Sequence, residues 1–320
     1  VIGYQLVAQG YTMPGVKGKL FILLVSVGIG ILFASILYSF FRWLDKKKDF
    51  STCQEFSKRT ARKAFFISWG VIFASWIPAF LAYYPAIMSY DSHRQFQEAY
   101  QGYIWFNSHH PLVHTFLIRM FLLLGKTIGS YEIGMALYSL MQMVISSVIF
   151  AYACNMVGRL TNRKWAVGVT VAFFALLPIH QVLVLSVTKD ILFTAFFLLL
   201  CLLMLEYNQT EGGKKKWLLL AAMLGVGILV MLFRNNAIYA FALFAVFYII
   251  WSKKERVIIL LLCVVILAGG KFGGQGIQMA MDAGSGSKVE MYSVFLHQFT
   301  RVGLYQNDNL NIEEYGIQRD

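Results

Sequence analysis

Long apolar runs recur along the chain, separated by short polar stretches. Eight approach the roughly 20 residues a helix needs to cross a bilayer core of about 30 Å. They cover residues 20–44, 64–86, 133–157, 165–187, 190–207, 217–233, 235–251 and 256–272. A further run, 111–125 (PLVHTFLIRMFLLLG), is shorter, opens on Pro111 and carries His114 and Arg119. Its length and its ionisable residues predict an interfacial or re-entrant helix and not a crossing. The pattern predicts an all-α protein, a polytopic transmembrane helical bundle of about eight spans.

Polar loops give the bundle a direction. Residues 46–63 carry Lys46, Lys47, Lys48, Lys58, Arg59, Arg62 and Lys63, and residues 158–164 carry Arg159, Arg163 and Lys164. Lys214, Lys215 and Lys216 fall in 208–216, and Lys253, Lys254 and Arg256 in 252–256. Basic loops stay in the cytoplasm, and all four share one side only if 111–125 does not cross. Segments 1–19, 87–132, 188–189, the turn at Arg234 and 273–320 then fall outside. Three parts result: 1–63, an extra span with its basic loop; 64–272, the transmembrane core; and 273–320, the start of an external region. An outside segment ahead of the first span, opening on Val1, predicts a further span upstream, and the tail to Asp320 predicts more chain beyond it.

Composition agrees with that class and excludes others. Of 320 residues, 58% are hydrophobic and 14% charged, and the mean hydropathy is +0.61. Soluble domains have about 45–50% apolar and about 25% charged residues. A soluble nucleotide-binding enzyme, a disulfide-rich secreted domain and a disordered regulator are excluded. The net charge of +12 sits in the loops between spans, so it speaks for membrane orientation and not for nucleic acid. The four cysteines (Cys53, Cys154, Cys201, Cys263) have neither paired nor metal-like spacing.

Chemistry is expected where polar groups collect at membrane depth. The loop after the second span, YYPAIMSYDSHRQFQEAYQGYIWFNSHHP, places Asp91 at the membrane surface, ahead of an amphipathic helix over 91–101. Asp91, Arg94, Gln95, Glu98 and Gln101 share one face of it. Asp91 reads either as that helix's N-cap or as a general base whose pKa is raised by partial desolvation. His109 and His110, before the next helix, read as phosphate contacts or as polar groups bonded to loop backbone. His110 and His114, four residues apart, are also a possible metal pair, though two ligands make a weak site. The turn Ser186-Val187-Thr188-Lys189-Asp190 joins two spans tightly, with Pro178 breaking the helix before it. Asp190 there is a cap or a second acid, and Lys189 an ion-pair partner or a delivered cation. Arg234, followed by Asn235 and Asn236, either snorkels or binds an anion bidentately. All of these fall on the outer side, and no phosphate-binding glycine loop of the Walker type is present.

The stretches YPAIMSYDSHRQF (84–96), SHHPLVHTFLI (108–118), LPIHQVLVLSVTKDILFTAFFLLL (177–200) and FRNNAIYA (233–240) resemble the multi-spanning GT-C glycosyltransferases. The nearest branch is the aminoarabinose transferase and protein O-mannosyltransferase group, and within it the chain is similar to an uncharacterised, DUF6020-like family of bacterial membrane proteins. The resemblance covers roughly 64–256, and MYSVFLHQFTRVGL (291–304) looks like the start of a larger external region. It implies a GT-C-like bundle in the bacterial cytoplasmic membrane, with its active site facing outside. Asp91 then matches the acid of the first external loop, Asp190 a second acid, and Arg234 a basic residue for lipid phosphate. Asp91-Ser92 stands where some members have Asp-Glu, and the histidine pair stands in place of a lysine. The implied reaction moves a sugar, with inversion, from a polyprenyl-phosphate donor to an envelope glycan, lipid or protein. Asp91 acts as base, while Arg234 with Lys189 or His109 holds the phosphate, beside His110 and Asn235; a divalent cation is left open. A transporter or flippase of lipid-linked saccharides, or an inactive scaffold, are the alternatives.

Overall fold

The computed structural model describes residues 15–46, 57–102, 106–252 and 255–284. The chain divides into two compact units, Val1–Glu55 and Phe56–Asp320. In the first, α1 (Gly15–Lys46) contains the predicted 20–44 run. The lysine-rich stretch 47–56 and the tail 285–320 lie outside the described residues.

The second unit contains ten helices among the described residues. These are α2 (Lys58–Ala82), α3 (Tyr90–Gln101), α4 (Leu112–Ile128), α5 (Tyr131–Thr161) and α6 (Lys164–Leu176). They continue with α7 (Pro178–Leu185), α8 (Lys189–Gln209), α9 (Lys214–Phe233), α10 (Ala237–Trp251) and α11 (Arg256–Ala280). Among the described residues there is no strand, only two isolated bridges.

Five helices are long and apolar enough to cross a bilayer: α2, α5, α8, α9 and α11. The pair α6–α7, bent by 53°, makes a sixth if it counts as one span. The eight predicted runs are all helical, but α10 has 15 residues, about 22 Å of helix.

The α6–α7 break has a local cause. Pro178 has no N–H, and the residue before a proline avoids the helical region; Leu177 is extended at φ −71°, ψ 118°. The carbonyl of Phe174 thereby loses its usual donor, and the Trp76 indole N–H replaces it at 3.1 Å. Gln181 donates to the neighbouring orphan, Ala175 O, at 2.9 Å. A broken helix is tolerated in an apolar bundle when its freed carbonyls are satisfied in this way.

Packing places α5 at the centre, against α2, α4, α6, α7 and α8, while α9 packs on α8 and α11, and α11 on α10. Ile72, Trp76, Met143 and Leu185 are buried between α2, α5 and α7. Leu200, Met223, Ile259 and Ile266 fill the space among α8, α9 and α11.

The basic segments gather at one end of this unit. Glu206 accepts from Arg159 at 2.9 Å and pairs with Lys215 at 2.8 Å, and Tyr152 also donates to it. Lys216 meets Glu255 at 2.6 Å, and Asn155 donates to Ala61 O near the start of α2. At the opposite end stand Pro85, Ser186 and Arg234. Helix α4 starts at that opposite end, after His110. It meets α5 near the latter's N-terminus: a Cβ on Gly125 would stand 2.3 Å from Gly134 N, and one on Gly134 would stand 2.3 Å from Phe121 O. The two backbones touch because neither glycine has a side chain. Only Gly129 and Ser130 separate Ile128 from Tyr131, and Gln142, one turn past Tyr138, is already level with Ser186. Helix α4 therefore returns at the end where it began and does not traverse the bundle, the placement expected for 111–125.

Candidate functional site

Two extended segments meet at that end. Ile87 N donates to Leu185 O at 2.9 Å and Val187 N to Ile87 O at 3.0 Å, so the chain leaving α2 pairs in parallel with the chain leaving α7. Gln142 of α5 supports the pairing from below, donating to Val184 O at 2.7 Å and Ser186 O at 2.9 Å. Ser139 donates to Pro85 O at 3.0 Å. The result sets the N-termini of α3 and α8 side by side.

Each of these helices carries an acid at its second residue, Asp91 in α3 and Asp190 in α8. The N-caps are Ser89 and Thr188, both extended. The expectation that either aspartate caps its helix is thus corrected. A cap must have non-helical backbone, whereas both aspartates lie within the first turn, where the helix dipole favours a carboxylate.

Lys189 joins the two helices. Its ammonium lies 3.2 Å from Asp91 Oδ2 and 3.2 Å from His110 Nδ1. An ammonium only donates, so Nδ1 of His110 accepts and its proton sits on Nε2. Burial would raise the Asp91 carboxyl, but the Lys189 ammonium, aided by the nearby histidines, outweighs it and holds the carboxyl below its usual value. Asp91 is therefore an ionised carboxylate and not the desolvated, raised base that its position predicts; its side chain is 53% exposed. His110 is buried, and burial together with the Lys189 charge pushes it down to about 4, so its imidazole is neutral.

A second pair stands alongside. Arg234 donates to Asp190 Oδ1 at 2.6 Å, with its guanidinium 5.3 Å from the Phe193 ring. Asn235 donates to the carbonyls of Ser108 at 3.2 Å and His109 at 3.4 Å. The His109 and His110 rings are 4.7 Å apart. The segment after α11 is also tied in: Ser108 N donates to Gly284 O and Gly284 N to Phe106 O, both at 2.9 Å.

Of the residues singled out from sequence, Asp91, His110 and Lys189 come into direct contact, as do Asp190 and Arg234. His109 and Asn235 meet through backbone. His114 lies apart from this cluster. It is fully buried, with Nδ1 3.0 Å from Gln95 Oε1 and Nε2 2.8 Å from the Tyr138 hydroxyl. His110 faces Lys189 while His114 faces Gln95 and Tyr138, so the two histidines do not present a common pair of nitrogens. The polar face expected for 91–101 is also split. Asp91, Arg94 and Gln101 are exposed, but Gln95 and Glu98 turn inward, Gln95 because His114 and Thr115 meet it there.

A chain of hydrogen bonds was not legible in the residue pattern. Thr115, Gln95, His114, Tyr138 and Gln142 link α3, α4 and α5 to the carbonyls beside Ser186. The signal available was a glutamine and a tyrosine four residues apart within an apolar run.

A groove of about 660 Å³ opens beside the charged cluster. Ser108, His110 and Asn235 line its polar end, with Leu112, Met231, Ile238, Ala242 and Leu267 further in. Lys271, Gln275 and Gln278 of α11 also line it. Asp91, Lys189, Asp190 and Arg234 do not; the groove meets the cluster at His110. Chemically, the cluster offers an ionised carboxylate that can accept from a hydroxyl, an ammonium beside it, and an imidazole whose Nε2–H can donate to an oxygen anion.

The fold and this site define an all-helical protein with several helices able to cross a membrane and a polar cluster at one end. The chain belongs to the family of unknown function DUF6020, which it matches over residues 101–315. The match includes His110, Lys189, Asp190 and Arg234 and begins after Asp91. No curated protein and no solved structure matches the chain.

Proposed function

We propose that the protein is an integral-membrane glycosyltransferase that moves a sugar from a polyprenyl-phosphate donor to an acceptor at the outer face of a bacterial cytoplasmic membrane. The observation that carries this reading is the meeting of Asp91, Lys189 and His110, with Asp190–Arg234 alongside, at the end of an apolar bundle opposite its basic loops. Basic loops face the cytoplasm, which favours the outside for the cluster. The acceptor hydroxyl or amine donates to the Asp91 carboxylate, which orients it toward the anomeric carbon. Its oxygen or nitrogen forms the new bond as the carbon–oxygen bond to phosphate breaks, with inversion, and the Asp91 carboxylate takes the proton the acceptor loses. The phosphate leaves as a dianion whose charge is met by N–H donors at the His110 end of the groove. Membrane confinement of donor and cluster supplies orientation.

A second reading, transport of a lipid-linked saccharide, draws on the α6–α7 break, since discontinuous helices recur in transporters. Purified full-length protein in liposomes distinguishes them. Formation of a glycosylated acceptor from radiolabelled polyprenyl-phosphate sugar supports transfer. Redistribution of the intact labelled lipid between leaflets, with no new glycoside, overturns it.

A further inference from the structure

Lys271 stands inside the most apolar of the long helices. It lies 15 residues from Arg256 at the basic end of α11, about 22 Å along the axis, and two and a half turns before Ala280. Its neighbour Gly270 packs on Met231, three residues before Arg234, so Lys271 sits about one turn below the charged cluster. Among the described residues no carboxylate pairs with it. The two cations of the charged cluster are matched, Lys189 by Asp91 and Arg234 by Asp190.

The groove that Lys271 lines has no acidic residue in its wall. Its polar members are uncharged, and His110 is neutral while accepting from Lys189. Lys271 is exposed, and the cavity carries its positive charge with no carboxylate in the wall to offset it. Its remaining wall is aliphatic apart from Tyr239. Where the glycine-rich face of α11 passes the groove, a Cβ on Gly274 would meet nothing within 4 Å. Its volume falls within the roughly 300–1,000 Å³ of ligand sites.

We infer that this groove seats a lipid with one long apolar tail and a phosphate head, with the phosphate on Lys271 and the His110 Nε2–H and the tail along α10 and α11. This deepens the glycosyltransferase reading by naming what holds the donor. It also moves the phosphate from Arg234, whose guanidinium already holds Asp190.

The test is binding without sugar. Full-length protein in nanodiscs is photolabelled with a prenyl monophosphate bearing a diazirine in its tail. Competitors are the unlabelled prenyl monophosphate, the matching prenyl alcohol and inorganic phosphate. Labelling is expected on α9–α11 and is displaced by the prenyl monophosphate at concentrations at least tenfold below those needed of the alcohol, with inorganic phosphate inert. Lys271→Gln should weaken displacement about tenfold or more, while Lys271→Arg retains it. Gly274→Phe should block labelling, and its undisturbed melting temperature would show that the fold survives. Equal displacement by alcohol and phosphate, displacement by inorganic phosphate alone, or an unaffected Lys271→Gln variant each overturns the inference. Failure of sugar transfer with lipid binding intact would sink the glycosyltransferase reading and leave the groove assignment standing.

Discussion

The Lys189 ammonium lies 3.2 Å from a carboxylate oxygen of Asp91, a residue 98 positions earlier in the chain. The contact exists because Ile87 and Ser186 pair as two short extended segments, which sets the helices starting at Tyr90 and Lys189 next to each other. An ion pair exposed to this degree contributes about 0–1 kcal/mol to stability. Its consequence is for charge: Asp91 stays ionised beside a cation that also holds His110 neutral.

Separating the pair tests that consequence. Lys189→Met removes both contacts and should cost about 100-fold or more in transfer, within the range for a positioned acid–base partner. It should shift the melting temperature little. Asp91→Asn combined with Lys189→Met should cost no more than the worse single change, because the two act as a unit. Rates in proteoliposomes check this; simple additivity would separate their roles.

Acid should loosen the site with a defined sign. His110 titrates at about 4 in the folded protein, against about 6.5 for an unperturbed histidine. Between those values the unfolded chain binds more protons, so stability rises with pH. The contribution is full above about pH 6.5 and is lost as pH falls toward about 4. Asp91, also lowered, acts in the same direction at still lower pH. His110→Asn keeps an acceptor for Lys189 but cannot titrate, so its melting temperature should fall less between pH 7 and pH 5 than that of the wild type. Identical slopes would contradict the neutral imidazole.

The support beneath the site is measurable separately. Gln142 is buried and donates to two carbonyls. Gln142→Leu leaves both without their donor and should cost about 1–3 kcal/mol per orphaned group. Transfer should fall as well, since Val184–Ser186 carries the strand that aligns Lys189. Chemical denaturation in detergent gives the first number and the activity assay the second.

Trp76 and Pro178 should be coupled. Trp76→Phe leaves the Phe174 carbonyl unpaired at a cost of about 1–3 kcal/mol. With Pro178→Ala, an N–H becomes available to that carbonyl, so the same Trp76→Phe change should cost less. Equal costs on both backgrounds would show that the proline is not what orphans the carbonyl.

Much of the fold was legible because apolar run length and basic loops are strong signals. The eight runs are helices, 111–125 does not traverse, and Pro178 breaks its helix. Span length was less legible: α10 is shorter than a comfortable crossing, and α11 continues eight residues past 272. The clustering of Asp91, His110, Lys189, Asp190 and Arg234 was anticipated from sidedness alone. Their pairing was not, since it depends on the Ile87–Ser186 register. The caps were misplaced because Ser89 and Thr188 precede each aspartate by two residues, and sequence does not say which begins the helix. Gln95 and Glu98 look like surface residues by composition, and only the position of His114 turns Gln95 inward.

The most direct measurement is a single-turnover transfer assay with saturating polyprenyl-phosphate sugar in membranes carrying the full-length protein, wild type against Asp91→Asn. A drop of about 100-fold or more in the transfer rate, with donor retention unchanged, is the expected result. A variant that transfers sugar at the wild-type rate would contradict the assignment of Asp91 and with it the account of this site.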